Sequence, residues 1–175
     1  GVRHPAGQAA VVAGVGKTNV EQLLPIALTI YGGKEDGAGV VESSMRYFKQ
    51  VSGQAVESVW DETSSPEIPG FGSVYGDADA YAAKLLDSFD SPPESTVFWA
   101  QQLQVKLAPL SIGILRSGVC AAVLTDLGFQ PRQGVGLMQL LAAPGLLAHG
   151  LEFAGKPLTH MLFEPDSQYE IEGPA

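Results

Sequence analysis

Carboxylates are the side chains in this sequence best suited to acid–base or metal chemistry, and they form two small clusters. Glu35 with Asp36 is one, and Asp77 with Asp79 is the other. Either cluster could supply a general base or ligands for a hard metal ion. Each is equally explained by the preference for carboxylates in the first turn of a helix. No spacing resembles a zinc site, so the sequence predicts no metal.

The histidines and the single cysteine offer little support for nucleophilic catalysis. None of His4, His149 and His160 lies in or next to the glycine-rich segments, and His149 is interpreted as a hydrogen-bonded structural residue in an apolar helix. Cys120 stands among small apolar residues and is interpreted as buried. One cysteine cannot form an internal disulfide, which favours a reducing, cytoplasmic location.

Two glycine-rich segments could approach a ligand closely. The segment 14–18, Gly-Val-Gly-Lys-Thr, has part of a phosphate-binding loop, but Val11 stands where a further glycine is needed and no buried strand precedes it. A turn between two helices is the favoured interpretation. The segment 69–75, Pro-Gly-Phe-Gly-Ser-Val-Tyr, lies in a long connection over 52–75, and long loops in compact domains are often functional.

The elements that must position these residues are mostly helices. Apolar residues recur at helical spacing, strand patterns are weak, and helix caps follow several polar residues. The sequence predicts about seven helices, including 20–31, 38–51, one after Asp77 or Asp79, 92–107 with Ser91 as its N-cap, and 117–127 ending at Gly128.

Composition bounds the class of protein. The 175 residues suit one domain, 1–175, and 45% are hydrophobic against 17% charged, which indicates a globular chain. A net charge of −9 with scattered basic residues argues against a nucleic-acid surface. The apolar stretch 137–151 is interrupted by Pro144-Gly145 and His149, so it is predicted to be a buried helix and no membrane association is expected.

The segment Pro69-Gly70-Phe71-Gly72-Ser73 resembles the Pro-Gly-Phe-Gly-His loop of the citrate synthase and citryl-CoA lyase family, with Ser73 nearest to the place of a catalytic histidine. Four further blocks resemble the family in the right order. They are 28–39 (the His-Gly-Gly-Ala helix and turn), 117–129 (the helix that opens with the catalytic aspartate), 144–149, and 169–174 near the end.

The resemblance implies an all-α, citrate-synthase-like multihelical domain, truncated at its N-terminus, in which the catalytic positions are replaced. Glu35 stands for the other catalytic histidine and Ser117 for the aspartate. Gly37 and Ala38 form the family's substrate-side turn, and Ala142 stands where the family has an arginine that binds a substrate carboxylate.

The resemblance implies a ligand and leaves two alternatives for the function. In the family, the loop 69–72 (Pro69, Gly70, Phe71 and Gly72) borders the coenzyme A site, so a coenzyme A thioester is the ligand to expect, although no cofactor is required. A non-catalytic structural or regulatory subunit is favoured, working as a homodimer or with a family-related partner. The alternative is a repurposed acyl-CoA lyase or acyltransferase that uses Glu35, Asp36 or Asp77.

Overall fold

The computed structural model describes residues 3–35, 37–51, 53–59, 67–73 and 78–160, and this part of the chain is all-α, as predicted. Its only sheet is one short antiparallel pair, β1 (Phe71–Gly72) and β2 (Gly113–Ile114). The helices are α1 (Pro5–Val15), α2 (Val20–Tyr31), α3 (Gly39–Val51), α4 (Val56–Val59), α5 (Ala80–Asp87), α6 (Thr96–Leu107), α7 (Arg116–Asp126) and α8 (Pro131–Ala154). Short 3₁₀ turns follow α6, at Ala108–Leu110, and α8, at Leu158–His160.

The chain divides into two compact units, one of residues 29–142 and the other of 1–28 with 143–175. The larger unit has its core where α3 packs on α7 and α6 packs on α7. Val41, Met45 and Phe48, which lie on one face of α3, are fully buried there. Their spacing of four and three residues is the periodicity that predicted this helix.

Small residues allow the helices of the larger unit to approach closely. Ala121 and Ala122 of α7 are fully buried in the core cluster that contains the apolar face of α3. Gly134 of α8 lies so close to α3 that an added Cβ would overlap the Met45 sulfur and come within 2.8 Å of a Val41 methyl carbon. Interaxial distance depends on the side chains at the contact, and here it is set by alanine and glycine.

The smaller unit shows what the segment 14–18 does. It is a turn between α1 and α2, as predicted, and Gly14 sits so close to α8 that an added Cβ would overlap the Gly150 carbonyl oxygen. Lys17 donates from Nζ to the carbonyl oxygens of Ala154 and Lys156, both at 2.7 Å. A cation on the last carbonyls of a helix is favoured by the helix dipole, so this lysine caps α8 where the partial motif suggested phosphate.

Helix α6 corrects one predicted boundary. The Ser91-Pro92 start is wrong, because the helix begins at Thr96 with Ser95 as its N-cap, accepting from the Phe98 N–H at 3.0 Å. The Asp126 carboxylate reaches the same end from α7 and accepts from the Thr96 N–H at 2.7 Å. Asp79 is confirmed as the N-cap of α5, and Asp77 lies outside the described residues.

Helix α8 corrects another expectation. It runs through Pro144 for 24 residues and is not buried, since only 17% of its most apolar 18-residue window is buried within the chain. By length and composition alone it could cross a membrane, with a mean hydropathy of 1.4 over that window. A single such helix is weak evidence for a membrane span, because core and interface helices share this composition.

Candidate functional site

The loop 67–73 is fixed against two helices by one glycine. Gly70 has φ of +89°, a backbone conformation that strongly favours glycine. An added Cβ would lie 2.8 Å from the Gly118 Cα of α7 and 3.0 Å from the Ser44 Oγ of α3. The loop therefore rests on both helices at a point where only glycine fits.

The pair of β1 and β2 holds the other side of this loop. Phe71 pairs with Ile114, and the Leu115 N–H donates to the Gly70 carbonyl oxygen at 2.9 Å. Phe71 is buried and its ring meets Phe48 edge to face, with centroids 6.4 Å apart. This pairing, which the weak strand signals did not predict, brings the loop to the first turn of α7.

Ser117 lies in that first turn and is the best-defined of the predicted chemical positions. It is 3% exposed, and its Oγ has no hydrogen-bond partner in the described part of the chain. Leu115 is the N-cap of α7 and provides no side-chain cap. The turn thus offers a neutral hydroxyl and backbone N–H groups, which can bind an anion or a polar group but include no base.

Ser73 and Glu35 differ from Ser117 in being exposed. Ser73 follows β1 directly, and Glu35 lies at the tip of the turn between α2 and α3. The structure therefore brings Ser117 beside the loop 69–72, while Ser73 and Glu35 lie at exposed positions.

The turn that carries Gly37 and Ala38 is buried and tight. The Ala38 N–H donates to the Tyr31 carbonyl oxygen at 2.7 Å, and the Gly39 N–H donates to that of Gly33 at 3.0 Å. An added Cβ at Gly37 would lie 2.6 Å from the Tyr31 carbonyl oxygen. Glycine is required at position 37 for backbone packing, and Ala38 is fully buried beside it, so both residues are accounted for without a ligand.

The remaining predicted positions show no assembled site in the described residues. Asp36 lies outside them, and no group of three histidine, cysteine or acidic side chains within them could hold a metal ion. Ala142 is half-buried in α8 and makes no polar side-chain contact. The block 169–174 also lies outside the described residues.

Sequence reasoning missed Arg116, the residue before Ser117. Its Nε donates to Asp79 Oδ2 at 2.9 Å, and its guanidinium lies 5.6 Å from the centroid of the Tyr81 ring. For Asp79 the sequence predicted a helix cap, a general base or a metal ligand, and not a partner for an arginine. No motif marks Arg116, and only the fold brings it to α5.

Cys120 also differs from its prediction, since it is only half-buried. Burial among apolar groups raises the pKa of its thiol to about 11. The thiol is consequently almost entirely protonated near neutral pH and reacts slowly, which argues against a Cys120 nucleophile.

Comparison with solved structures places this architecture among known folds. The citryl-CoA lyase of Hydrogenobacter thermophilus superposes with a TM-score of 0.75 at 24% identity, over 100% of this chain and 72% of that one. The citrate synthase of Thermotoga maritima gives 0.67 at 19% identity, over 98% of this chain and 50% of that one.

A third structure is the Thermoplasma acidophilum citrate synthase in complex with carboxymethyl coenzyme A and oxaloacetate, with a TM-score of 0.65 at 22% identity over 98% of this chain. This chain spans about half the length of the two citrate synthases (48% and 50%). No family model and no curated protein matches the sequence. By its structure, the chain has the all-α fold shared by citrate synthases and citryl-CoA lyases.

Proposed function

We propose that this chain is a member of the citrate synthase and citryl-CoA lyase family that does not carry out the family reaction and acts as a structural or regulatory subunit. The observation that carries the proposal is Ser117. By the motif resemblance it stands where the family has its catalytic aspartate. It is buried, and its hydroxyl has no hydrogen-bond partner in the described residues that could activate it.

The family reaction needs a base to remove a proton from the acyl methyl group and two histidines to stabilise oxygen atoms that gain negative charge. A serine hydroxyl cannot act as that base unaided, since nucleophilic or basic serines depend on a neighbouring base. A positioned acid–base group contributes about 100- to 10,000-fold to a rate. Glu35 would bring negative charge toward an enolate where the family brings a neutral or positive imidazole.

Turnover assays test the proposal directly. The purified chain should neither condense acetyl-CoA with oxaloacetate nor cleave citryl-CoA above the buffer rate. The triple variant Glu35→His, Ser73→His and Ser117→Asp should gain measurable turnover if the scaffold retains the substrate geometry. Ser43→Asp, which places a carboxylate on an exposed position of α3, is the matched control and should gain none. Turnover by the unmodified chain would overturn the proposal.

A second candidate function is a repurposed acyl-CoA-binding lyase or acyltransferase. The observation that favours it is the loop 69–72, which keeps its left-handed glycine and its seat on α3 and α7. Glu35, or Asp36 or Asp77 outside the described residues, would supply the base. Calorimetry with coenzyme A and acetyl-CoA separates the two candidates, because the second requires binding that Gly70→Ala abolishes. Absence of any heat of binding counts decisively against it.

We also propose assembly into a homodimer or with a family-related partner in the cytoplasm. Leu140 of α8 is 69% exposed, although it belongs to a long apolar helix. Burying this apolar surface against another subunit would be favourable. Sedimentation at micromolar concentration tests this assembly. Leu140→Lys should weaken self-association if α8 lies in the interface, and a monomeric unmodified chain would exclude the homodimer.

A further inference from the structure

A cavity of about 260 Å³ lies between α5, α7 and the first half of α8. Its α7 wall is formed by Val119, Cys120 and Val123, which repeat at helical spacing, and Met138 closes it from α8. No nitrogen or oxygen atom of the described residues faces the cavity, so Arg116 and Tyr81 contribute carbon atoms to its wall. This cavity is a different feature from the first turn of α7 at Ser117, and nothing in the proposed function uses it.

The mouth of the cavity is a patch of exposed apolar side chains. Tyr81 is 65% exposed and Leu141 is 71% exposed, and both line the opening together with Leu85 and Phe89, at 37% and 36%. Contiguous exposed apolar surface is uncommon on a soluble chain and often marks a binding site. A ligand that enters here would remove apolar area from water on both the walls and the rim.

Arg116 is the one charged residue in the lining. Its Nε donates to Asp79 Oδ2 and its guanidinium lies over the Tyr81 ring, while 55% of its side chain is exposed at the mouth of the cavity. Both carboxylate oxygens of Asp79 accept hydrogen bonds, because Oδ1 accepts from the N–H groups of Tyr81 and Ala82 at 3.0 and 3.1 Å while Oδ2 accepts from Arg116. The two terminal nitrogens of Arg116 have no hydrogen-bond partner among the described residues.

We propose that this cavity binds a small amphipathic carboxylate, with its hydrocarbon chain between α5, α7 and α8 and its carboxylate outside the apolar wall, at the mouth, on the exposed terminal nitrogens of Arg116. Guanidinium groups bind carboxylates through paired N–H donors, which favours this head group over an alcohol. An apolar cavity of about 150 Å³ holds benzene, so the larger volume here suits a chain of roughly six to eight carbons.

Octanoate and octan-1-ol are the probes that test the proposal, and Cys120 is the reporter. It is the only cysteine, and it lines the cavity. We expect octanoate to bind saturably in calorimetry and to slow the alkylation of Cys120 several-fold at saturation. Octan-1-ol, which offers the same chain without the charge, should bind at least about tenfold more weakly, as expected for loss of a charge-assisted hydrogen bond.

Variants separate the contributions of the carboxylate and of the hydrocarbon chain to the binding affinity. Arg116→Met should weaken octanoate about tenfold or more while leaving octan-1-ol unchanged. Val123→Phe, which fills the cavity, should remove the binding of both probes. Arg46→Met is the matched control, because Arg46 is an exposed arginine of α3 that pairs with Glu42 away from the cavity.

Three results would overturn the inference. They are the absence of saturable octanoate binding, equal affinity for octanoate and octan-1-ol, and octanoate binding that Val123→Phe leaves intact. Far-UV circular dichroism establishes that each variant is folded. The comparison of octanoate with octan-1-ol uses the unmodified chain, so it decides the head-group question even if a variant fails to fold.

Discussion

Two faces of α7 are packed very differently. One face meets α3 and the loop 69–72 so closely that Gly118 and Gly70 touch through their backbones. The other face carries Cys120 and Val123, which are half-buried and border a cavity of about 260 Å³. The first face leaves no room for a single added carbon atom, and the second leaves room for a small molecule.

This difference separates what the fold requires from what a ligand could use. The glycines of the tight face are explained by backbone contacts, so their match to a family motif is evidence for architecture. The chemistry of that motif depends on Ser73 and Ser117, which no backbone contact dictates. The open face lies on the helix of the block 117–129, but the resemblance assigns it no role. It has an apolar surface, with the guanidinium of Arg116 paired to Asp79 at its rim.

The largest expected effect comes from adding one carbon to the tight face. Gly118→Ala places a Cβ on the Gly70 carbonyl oxygen, and because both partners are backbone, neither can move cheaply. We expect the free energy of unfolding to fall by about 3 kcal/mol, measured by urea denaturation. Gly136→Ala in α8 is the control, since an added Cβ there meets nothing within 4 Å. That variant should gain up to about 1 kcal/mol from helix propensity, and similar losses in both would refute the contrast.

The environment of the open face can be measured through the reactivity and ionisation of the Cys120 thiol. Burial raises its pKa from an ordinary 9.0 to about 11, so alkylation of the folded chain below pH 9 should be about 100-fold slower than in denaturant. Because the unfolded thiol ionises first, stability should be unaffected below pH 9.0 and should fall as the pH rises from there through about 11.

Cys120→Ala provides the control for this pH dependence, because it removes the thiol while other groups still titrate. Tyr47 is one such group, since burial raises the pKa of its phenol above 10.0. The alkaline loss of stability should therefore be smaller in Cys120→Ala than in the unmodified chain. Equal losses, or rapid alkylation of the folded chain, would show that this face is more open to water than the structure indicates.

Local patterns predicted most of the fold, and long-range contacts account for the errors. The spacing of Val41, Met45 and Phe48 predicted α3, and Gly128, with φ of +81°, follows α7 as its position predicted. The start of α6 was placed too early because Ser91-Pro92 matches a local capping pattern. Its real cap includes Asp126, 30 residues after Thr96, and nothing local in the sequence indicates that pairing.

The candidate site, like the fold, has a part that local sequence patterns predicted and a part that depends on long-range contacts. A resemblance of motifs identified the loop 69–72 and Ser117, and the structure places them side by side. The cavity could not be foreseen, because α5, α7 and α8 each contribute an ordinary apolar stripe and only their arrangement leaves a gap. Arg116 was overlooked for the same reason, since its partners Asp79 and Tyr81 lie more than thirty residues earlier in the chain.

The smallest predicted effect distinguishes two buried serines on the tight face. Ser44 donates from Oγ to the Val40 carbonyl oxygen at 2.8 Å, whereas Ser117 Oγ has no partner among the described residues. Ser44→Ala should therefore cost about 1 kcal/mol of stability, and Ser117→Ala should be neutral or stabilising by a similar amount, because it removes an unsatisfied buried hydroxyl. Both effects can be measured as shifts in the urea midpoint. A loss of stability at Ser117 as large as that at Ser44 would mean that the Ser117 hydroxyl is hydrogen-bonded in solution. That result would support a ligand site at the first turn of α7.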